Sequence, residues 1–375
     1  MSELSEMYFN DFIKLNRGFD LPEDKIVNGK YPIAASTSIK DYHKEFKVKA
    51  PCVTTGRSGS LGSVLYIDQD CWPLNTTLYV KDFKGNDPKY VYYFLQMMKL
   101  ESFNCGAGVP SLNQNHLHKV KIKVHSRKVQ PKVASILSEY DDLIENNNHR
   151  IALLEQMAEQ IYKEWFVRLR FPGYENSEFK KGVPKGWEYI SLGSFTNILM
   201  GQSPKSEFYN DQGDGLPFHQ GVGSYGNRFP KHDTFCSVSG RLAREGDILF
   251  SVRAPVGRIN IANKKLIIGR GLASIKHKVG LQSYLYYLLN YYFQQEDVIG
   301  NGSIFNSVGK DELNNFKILH PSNKLDKKFD DIVSSIDLQI KVLIEQIQIL
   351  KQTRDLLLPR LISGKLIVKD VEIKL

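Results

Sequence analysis

Apolar residues near the middle of the chain fall at Val133, Leu137, Tyr140, Ile144, Ile151, Leu154, Ala158, Ile161 and Trp165. Their steps alternate between three and four, with one gap of seven. That is the period of a helical seam, not the alternation of a strand. The spacing predicts one helix over Lys132 to Arg168, about 54 Å long at a rise of 1.5 Å per residue. So long a helix suits a spacer or half of a coiled coil, or else a surface helix packed on its own domain. Asn146-Asn147-Asn148 interrupts the seam, and an Asn buried at one seam position fixes register at some expense of stability.

The flanking segments read differently. The opening, to about Gly18, predicts a short helix with Met7, Phe9, Phe12, Ile13 and Leu15 as its apolar positions. From Leu21 short strand-like runs alternate with turn signals: Tyr31-Pro32-Ile33, Lys47 to Thr55, the glycine turn Gly56 to Gly62, Val64 to Ile67 and Thr77 to Val80. A helix carries Tyr90 to Met97, and Lys119 to Val124 predicts a half-buried strand with one basic face. Phe171-Pro172-Gly173 and Gly182-Val183-Pro184 bracket a polar linker. Beyond it the pattern returns. Arg253 follows a strand as Arg57 does, Tyr284 to Leu289 echoes Tyr90 to Leu95, and Gly300-Asn301-Gly302 echoes Gly106-Ala107-Gly108.

A second seam closes the chain at Val333, Ile336, Ile340, Leu343, Ile347, Leu350, Leu357 and Leu361, with Pro359 expected to stop or kink it. Arg57 and Arg253, Asp141 and Asp337, and Leu154 and Leu350 are each 196 positions apart. A domain-sized period means tandem duplication rather than a solenoid. The fold class is therefore α+β: two mixed α/β globules in an internal pseudo-two-fold repeat, each followed by a long helix. Each seam needs a cover, and an antiparallel coiled coil of the two helices supplies it, at roughly 25 cal/mol per Å² buried.

Composition adds a partner class. The 375 residues carry a formal charge of +9, which favours a polyanion such as nucleic acid. Cys52, Cys71, Cys105 and Cys236 form no Cys-x-x-Cys pair, so neither zinc nor a disulfide framework is expected. There is no secretion signal and no apolar run of membrane-spanning length, which predicts a cytoplasmic protein without membrane contact.

The candidate chemistry is that of a reader. Gly56 to Gly62 lacks the Gly-Lys-Ser/Thr of a nucleotide loop. Its glycines instead allow close backbone approach, and Arg57 can fork onto guanine or a phosphate, with Ser58 and Ser60 beside it. A tight turn with a solvent-facing Arg is the alternative. Arg253, Arg258 and Arg270 are the candidates in the second globule. Asn75-Thr76 and Asn113-Gln114-Asn115 offer amides and hydroxyls of the kind that read adenine or hold phosphates, or that simply cap turns. Tyr42, His43, Gln220, Asn227 and Arg228 are weaker candidates. Asn86-Asp87-Pro88-Lys89 is like an amino-methyltransferase loop, but Lys replaces the second proline and no dinucleotide-type glycine loop precedes it. His116, His118 and His125 have no acidic or cysteine partner at metal spacing. No catalytic and no metal residue is assigned.

Over essentially its whole length the chain resembles the specificity subunit of type I restriction–modification systems. The carrying motifs are Gly182-Val183-Pro184-Lys185-Gly186-Trp187 at the start of the second globule, Val53-Thr54-Thr55-Gly56-Arg57-Ser58-Gly59, Trp72-Pro73-Leu74-Asn75-Thr76-Thr77 and the ending Leu357 to Leu366. The first globule lacks the Gly-x-x-Pro-x-Gly-Trp lead-in, which predicts an N-terminal edge that is trimmed or differently built. The resemblance implies target recognition domains at 1–130 and 185–325, conserved long helices at 131–170 and 326–366, a linker at 171–184 and a tail at 367–375. It implies a noncatalytic subunit that reads a bipartite site in double-stranded DNA, one half per domain, while the helix pair sets the spacer. It further implies two docked methyltransferase subunits and restriction motor-nuclease subunits. S-adenosylmethionine, ATP and Mg would belong to those partners, with no cofactor in this chain. The expected docking and seam residues are Ile144, Asn147, Ile151, Leu154, Ile161, Ile340, Leu343, Ile347, Leu350 and Leu357. The alternatives are a stand-alone DNA methyltransferase or nuclease, which would act as a single chain, and a protein-only coiled-coil scaffold, which would show no salt-sensitive DNA affinity.

Overall fold

The computed structural model describes residues 4–294, 307–321 and 324–368. The chain divides into two compact units, Met1–Asn148 with Ile344–Leu375, and His149–Leu343. The echo predicted at Gly300-Asn301-Gly302 and most of the tail lie outside the described residues.

In the first unit a four-stranded antiparallel sheet runs in the order Lys14–Arg17, Thr77–Asp82, Cys52–Gly56, Val64–Ile67. Beside it Ile39–His43, Tyr31–Ala34 and Trp72–Pro73 form a three-stranded sheet whose last pairing is parallel. The opening is not the predicted helix. Leu4–Tyr8 is a strand, Phe9–Phe12 a four-residue helical turn, and Lys14–Arg17 a second strand. The helical spacing of Phe9, Phe12 and Ile13 is real but spans one turn, and sheet pairing claims both flanks. Helix Pro88–Met97 starts where Asp87 accepts a hydrogen bond from the Tyr90 amide at 2.7 Å, with Pro88 at the first helical position. The Asn-Asp-Pro sequence is thus a helix start.

The second unit repeats this plan. Its four-stranded sheet runs Thr196–Met200, Leu272–His277, Ile248–Ser251, Ile259–Ile261, and Leu216–His219 pairs in parallel with Leu266–Ile268. The N-terminal edges match too. Leu4–Tyr8 pairs with Lys121–His125, and Glu188–Ser191 with Lys317–His320. The strand pairing is thus shared, while the lead-in of the second globule adds a hairpin, Phe179–Lys180 with Val183–Pro184, and sets Trp187 against Phe166 and Phe171, a difference in line with the expectation. Gly18 and Gly201 are equivalent in a second way: a Cβ there would meet the Leu74 carbonyl oxygen at 2.2 Å and the Gly269 carbonyl oxygen at 2.1 Å. Both positions require glycine because two backbones cross.

The central seam forms one α-helix, Gln130–Tyr162, wound on as a π-turn through Lys163–Val167. The terminal helix is Leu325–Ile362. Pro359 does not stop it; the helix runs through Pro359 to its end at Ile362.

Within the first unit the two helices lie side by side and antiparallel, as Asp141 pairs with Arg354 and Asn147 with Gln346. Val133, Leu137, Leu361 and Ile362 are buried in the same core as Phe12, Tyr90 and Phe94. Within the second unit Tyr162, Trp165 and Phe166 gather around Phe329, with ring centroids 5.3 to 6.0 Å apart. That is again antiparallel pairing, sealed by aromatic contacts. Asn147, 6% exposed, donates to Gln346 Oε1 at 3.3 Å, so the seam Asn has a polar partner. No helix among the described residues is long and apolar enough to cross a membrane.

Candidate nucleic-acid interface

In the first unit four loops meet where strands Cys52–Gly56 and Thr77–Asp82 pair at Gly56 and Thr77. The Arg57 and Ser58 amides donate to the Thr76 carbonyl oxygen at 2.8 and 3.2 Å, and the Leu112 amide donates to the Arg57 carbonyl oxygen at 2.8 Å. Ser36 Oγ donates to the same Thr76 oxygen at 3.0 Å. Arg57 Nε donates to the Asn75 carbonyl oxygen at 2.8 Å. This fixes the guanidinium stem and leaves the two terminal amino groups as a fork. Asn75 Nδ2 in turn donates to the Asp20 carboxylate. Arg57, Ser58, Asn75 and Thr76 are thereby brought together, half-buried, with Ser60 exposed on the glycine turn.

Sheet register corrects the alignment of the two halves. Gly56 opposite Thr77 recurs as Ser251 opposite Leu272, a separation of 195 rather than 196. Val252, not Arg253, therefore stands where Arg57 does, and Arg270 stands where Asn75 does. The bridges Ser58 to Ser111 and Arg253 to Ser307 agree, making Arg253 the counterpart of Ser58.

The second unit holds an open groove of about 1180 Å³ lined by Ser203, Tyr209, Phe218, Gln220, Ser224 and Arg270 among others. Gln220 and Arg270 are exposed on it. Arg253, Arg258 and Asn227 are also exposed, but none of them lines the groove.

Four expectations are changed or decided. Arg228 is 2% exposed and cannot reach DNA; it pairs with Asp337 and with Glu155 at 3.6 Å and lies over the Tyr286 ring at 4.5 Å. His43 is buried too, its Nδ1 accepting from the Val27 amide at 3.1 Å, while Tyr42 stays exposed on the same strand. Asn113 caps the short helix Gln114–Leu117 by accepting from the Asn115 amide at 2.9 Å. That is turn chemistry, with Gln114 half-buried and Asn115 exposed beside it. The helix seam also turns inward. Ile144, Asn147, Ile340, Leu343 and Ile347 are buried, and Ile151, Leu154, Ile161, Leu350 and Leu357 half-buried, so the seam itself is not a docking face. The apolar residues left exposed are others, including Leu143, Leu153, Met157, Leu338, Ile349 and Leu356.

Beneath the groove, Ser224 Oγ meets His219 Nδ1 at 2.7 Å, His219 Nε2 meets His232 Nδ1 at 3.0 Å, and His232 Nε2 meets Asn263 Oδ1 at 2.9 Å. Each ring has one donor and one acceptor in this chain, as two neutral histidines require. Burial, then the neighbouring His232, pushes His219 down to about 4 from 6.5. Between those values the unfolded chain binds a proton that the folded chain refuses, so stability falls as pH drops from 6.5 towards 4. The loss from His219 is expected to approach about 3 kcal/mol. Urea unfolding at pH 7 and pH 4.5 should show a shallower pH dependence in His219→Gln than in the parent; equal slopes would remove His219 as the cause.

The sequence matches the model of the type I restriction modification DNA specificity domain twice, over residues 1–156 and 184–352, each match covering one globule and most of the helix after it. The chain belongs to this family. It is the DNA-specificity component of a type I restriction–modification system. The putative type I restriction enzyme MjaX specificity subunit of Methanocaldococcus jannaschii is 32% identical over 296 residues, covering 76% of this chain and 69% of that protein. The MjaIX specificity subunit of the same organism is 27% identical over 305 residues, covering 76% and 70%. A crystal structure of a type I restriction–modification S subunit from M. genitalium shares the fold, with a TM-score of 0.67 at 17% identity over 96% of each chain.

Two residues of this specificity subunit escaped sequence reasoning, Asp20 and Ser203. Neither lies in a motif. They stand out only once Gly18 and Gly201 are aligned.

Proposed function

We propose that each globule reads one half of a bipartite sequence in double-stranded DNA. The observation that carries this is the placement of Arg57 and Asn75 on joined loops of the first domain, and of Gln220 and Arg270, the latter at the register position of Asn75, on the groove of the second. An Arg fork and an oriented amide at a strand end match the donors and acceptors on base edges. The chain is noncatalytic in this reading. Methyl transfer and cleavage belong to two methyltransferase subunits and to motor-nuclease subunits, which bring S-adenosylmethionine, ATP and Mg. The exposed apolar residues Leu143, Leu153, Met157, Leu338, Ile349 and Leu356 are the proposed docking positions for the methyltransferases. In this reading the helix pair, Gln130–Tyr162 and Leu325–Ile362, sets the spacer between half-sites.

The test is DNA binding by the subunit assembled with its methyltransferases. Arg57→Ala should weaken binding to the target by about 1–3 kcal/mol and relax one base position. A loss equal for all sequences, with a salt slope reduced by about one, would make Arg57 a phosphate contact. Binding without any sequence preference in the parent complex would defeat the reading.

A further inference from the structure

The two domains orient their reading amides in opposite senses, through one equivalent position. Gly18 and Phe19 donate from their amides to the carbonyl oxygens of Thr77 and Pro73, at 3.1 and 2.8 Å. Gly201 and Gln202 donate to those of Leu272 and Ile268, at 2.9 and 3.0 Å. The acceptors in the second domain are the register counterparts of those in the first. The next residue is Asp20 in one domain and Ser203 in the other.

Asp20 takes a hydrogen bond from Asn75 Nδ2. A carboxylate only accepts, so the amide nitrogen must face it, and Asn75 Oδ1 is left to meet a ligand. Ser203 Oγ accepts the Arg270 amide at 3.1 Å and donates to Gln220 Oε1 at 2.7 Å. With the carbonyl oxygen engaged, Gln220 Nε2 and its two N–H groups are left to meet a ligand. The surroundings are shaped for this pose: a Cβ at Gly269 would lie 2.6 Å from Gln220 Oε1, and the Gly271 amide donates to the Gln220 main-chain carbonyl oxygen at 3.1 Å.

We infer that Asp20 and Ser203 are positioning residues that set amide polarity, and with it the class of base each domain accepts at one position. In the first domain Asn75 presents an acceptor, which suits the exocyclic amino group of adenine or cytosine in the major groove. In the second, Gln220 presents donors, which suit guanine O6 and N7 or thymine O4. The inference rests on the DNA-recognition reading above.

Methylome sequencing of cells expressing the full chain with its methyltransferase subunits tests it. Ser203→Asp should turn the Gln220 amide over. One position of the second half-site then changes from guanine or thymine to adenine or cytosine, with discrimination shifted roughly 5- to 150-fold and the first half-site unchanged. Asp20→Ala, which removes the acceptor that fixes the Asn75 amide, should relax the choice of base at one position of the first half-site only. Gln220→Glu puts an acceptor in the same place without touching Ser203, should select cytosine there, and decides the matter if the Ser203→Asp chain is inactive. Unaltered motifs in these variants, or an altered opposite half, overturn the inference while leaving bipartite recognition standing. A parent chain that directs no defined methylated sequence defeats the recognition reading instead.

Discussion

Arg228→Ala is expected to destabilise the second unit by about 3–5 kcal/mol, the usual result of removing one partner from a buried ion pair. Burial opposes the Arg228 charge, but the Asp337 carboxylate and then the Tyr286 and Tyr287 hydroxyls outweigh it, holding the guanidinium above its ordinary range. Asp337 also accepts from Ser283 Oγ at 2.5 Å and Tyr287 Oη at 2.9 Å. Removing Arg228 leaves those donors but no countercharge. The double replacement Arg228→Met with Asp337→Leu should recover most of the loss, since an apolar pair needs no desolvation of charge. The first unit provides a control. There Asp141 accepts from Tyr93 Oη at 2.5 Å and pairs with Arg354, but Arg354 and Asp141 are 24% and 27% exposed. Arg354→Ala should therefore lose only about 1 kcal/mol. Urea unfolding of the three variants checks the argument, and equal losses for Arg228→Ala and Arg354→Ala would sink it.

Replacing the first domain by that of another specificity subunit, joined just ahead of helix Gln130–Tyr162, should change one half of the methylated sequence completely and leave the other half intact. Among the described residues each sheet pairs strands of its own unit. The incoming domain must still seat on the helices. His125 Nε2 lies 2.8 Å from the Leu361 carbonyl oxygen, and Tyr90 and Phe94 share a core with Val133 and Leu361. A donor carrying equivalent residues should fold, and one lacking them should be lost to proteolysis. Methylation mapping in cells gives the answer: a change in both halves, or in neither, ends the modular reading.

The duplication was legible because Asp141 and Asp337 each perform the same task, accepting from a tyrosine of the preceding helix. The equivalence of Arg57 and Arg253 was misread by one residue. A separation of 196 holds from the strands Lys121–His125 and Lys317–His320 into the long helices, whereas the central strands of the four-stranded sheets keep 195. Composition cannot reveal a one-residue difference in spacing between sheet and helix, but hydrogen-bond register shows it at once. Arg228 misled for another reason. In a glycine- and asparagine-rich stretch it reads as a loop cation, and its partner Asp337 is 109 residues away.

Alone, the sequence determined the class of the fold, the tandem repeat, the two seams and a DNA-reading family, because periodicity and motifs are local and each half repeats the other. Only tertiary structure decided which polar residues face out. Arg228 and Asn113 have the same chemistry as Arg57 and Asn75, yet Arg228 is buried in an ion pair and Asn113 caps a helical turn, while the His43 ring is buried against the Val27 amide. It also showed that Asp20 and Ser203, unremarkable in sequence, each hold a side-chain amide of the candidate interface. An amide's polarity depends on its neighbour across the fold, and no local pattern carries that information.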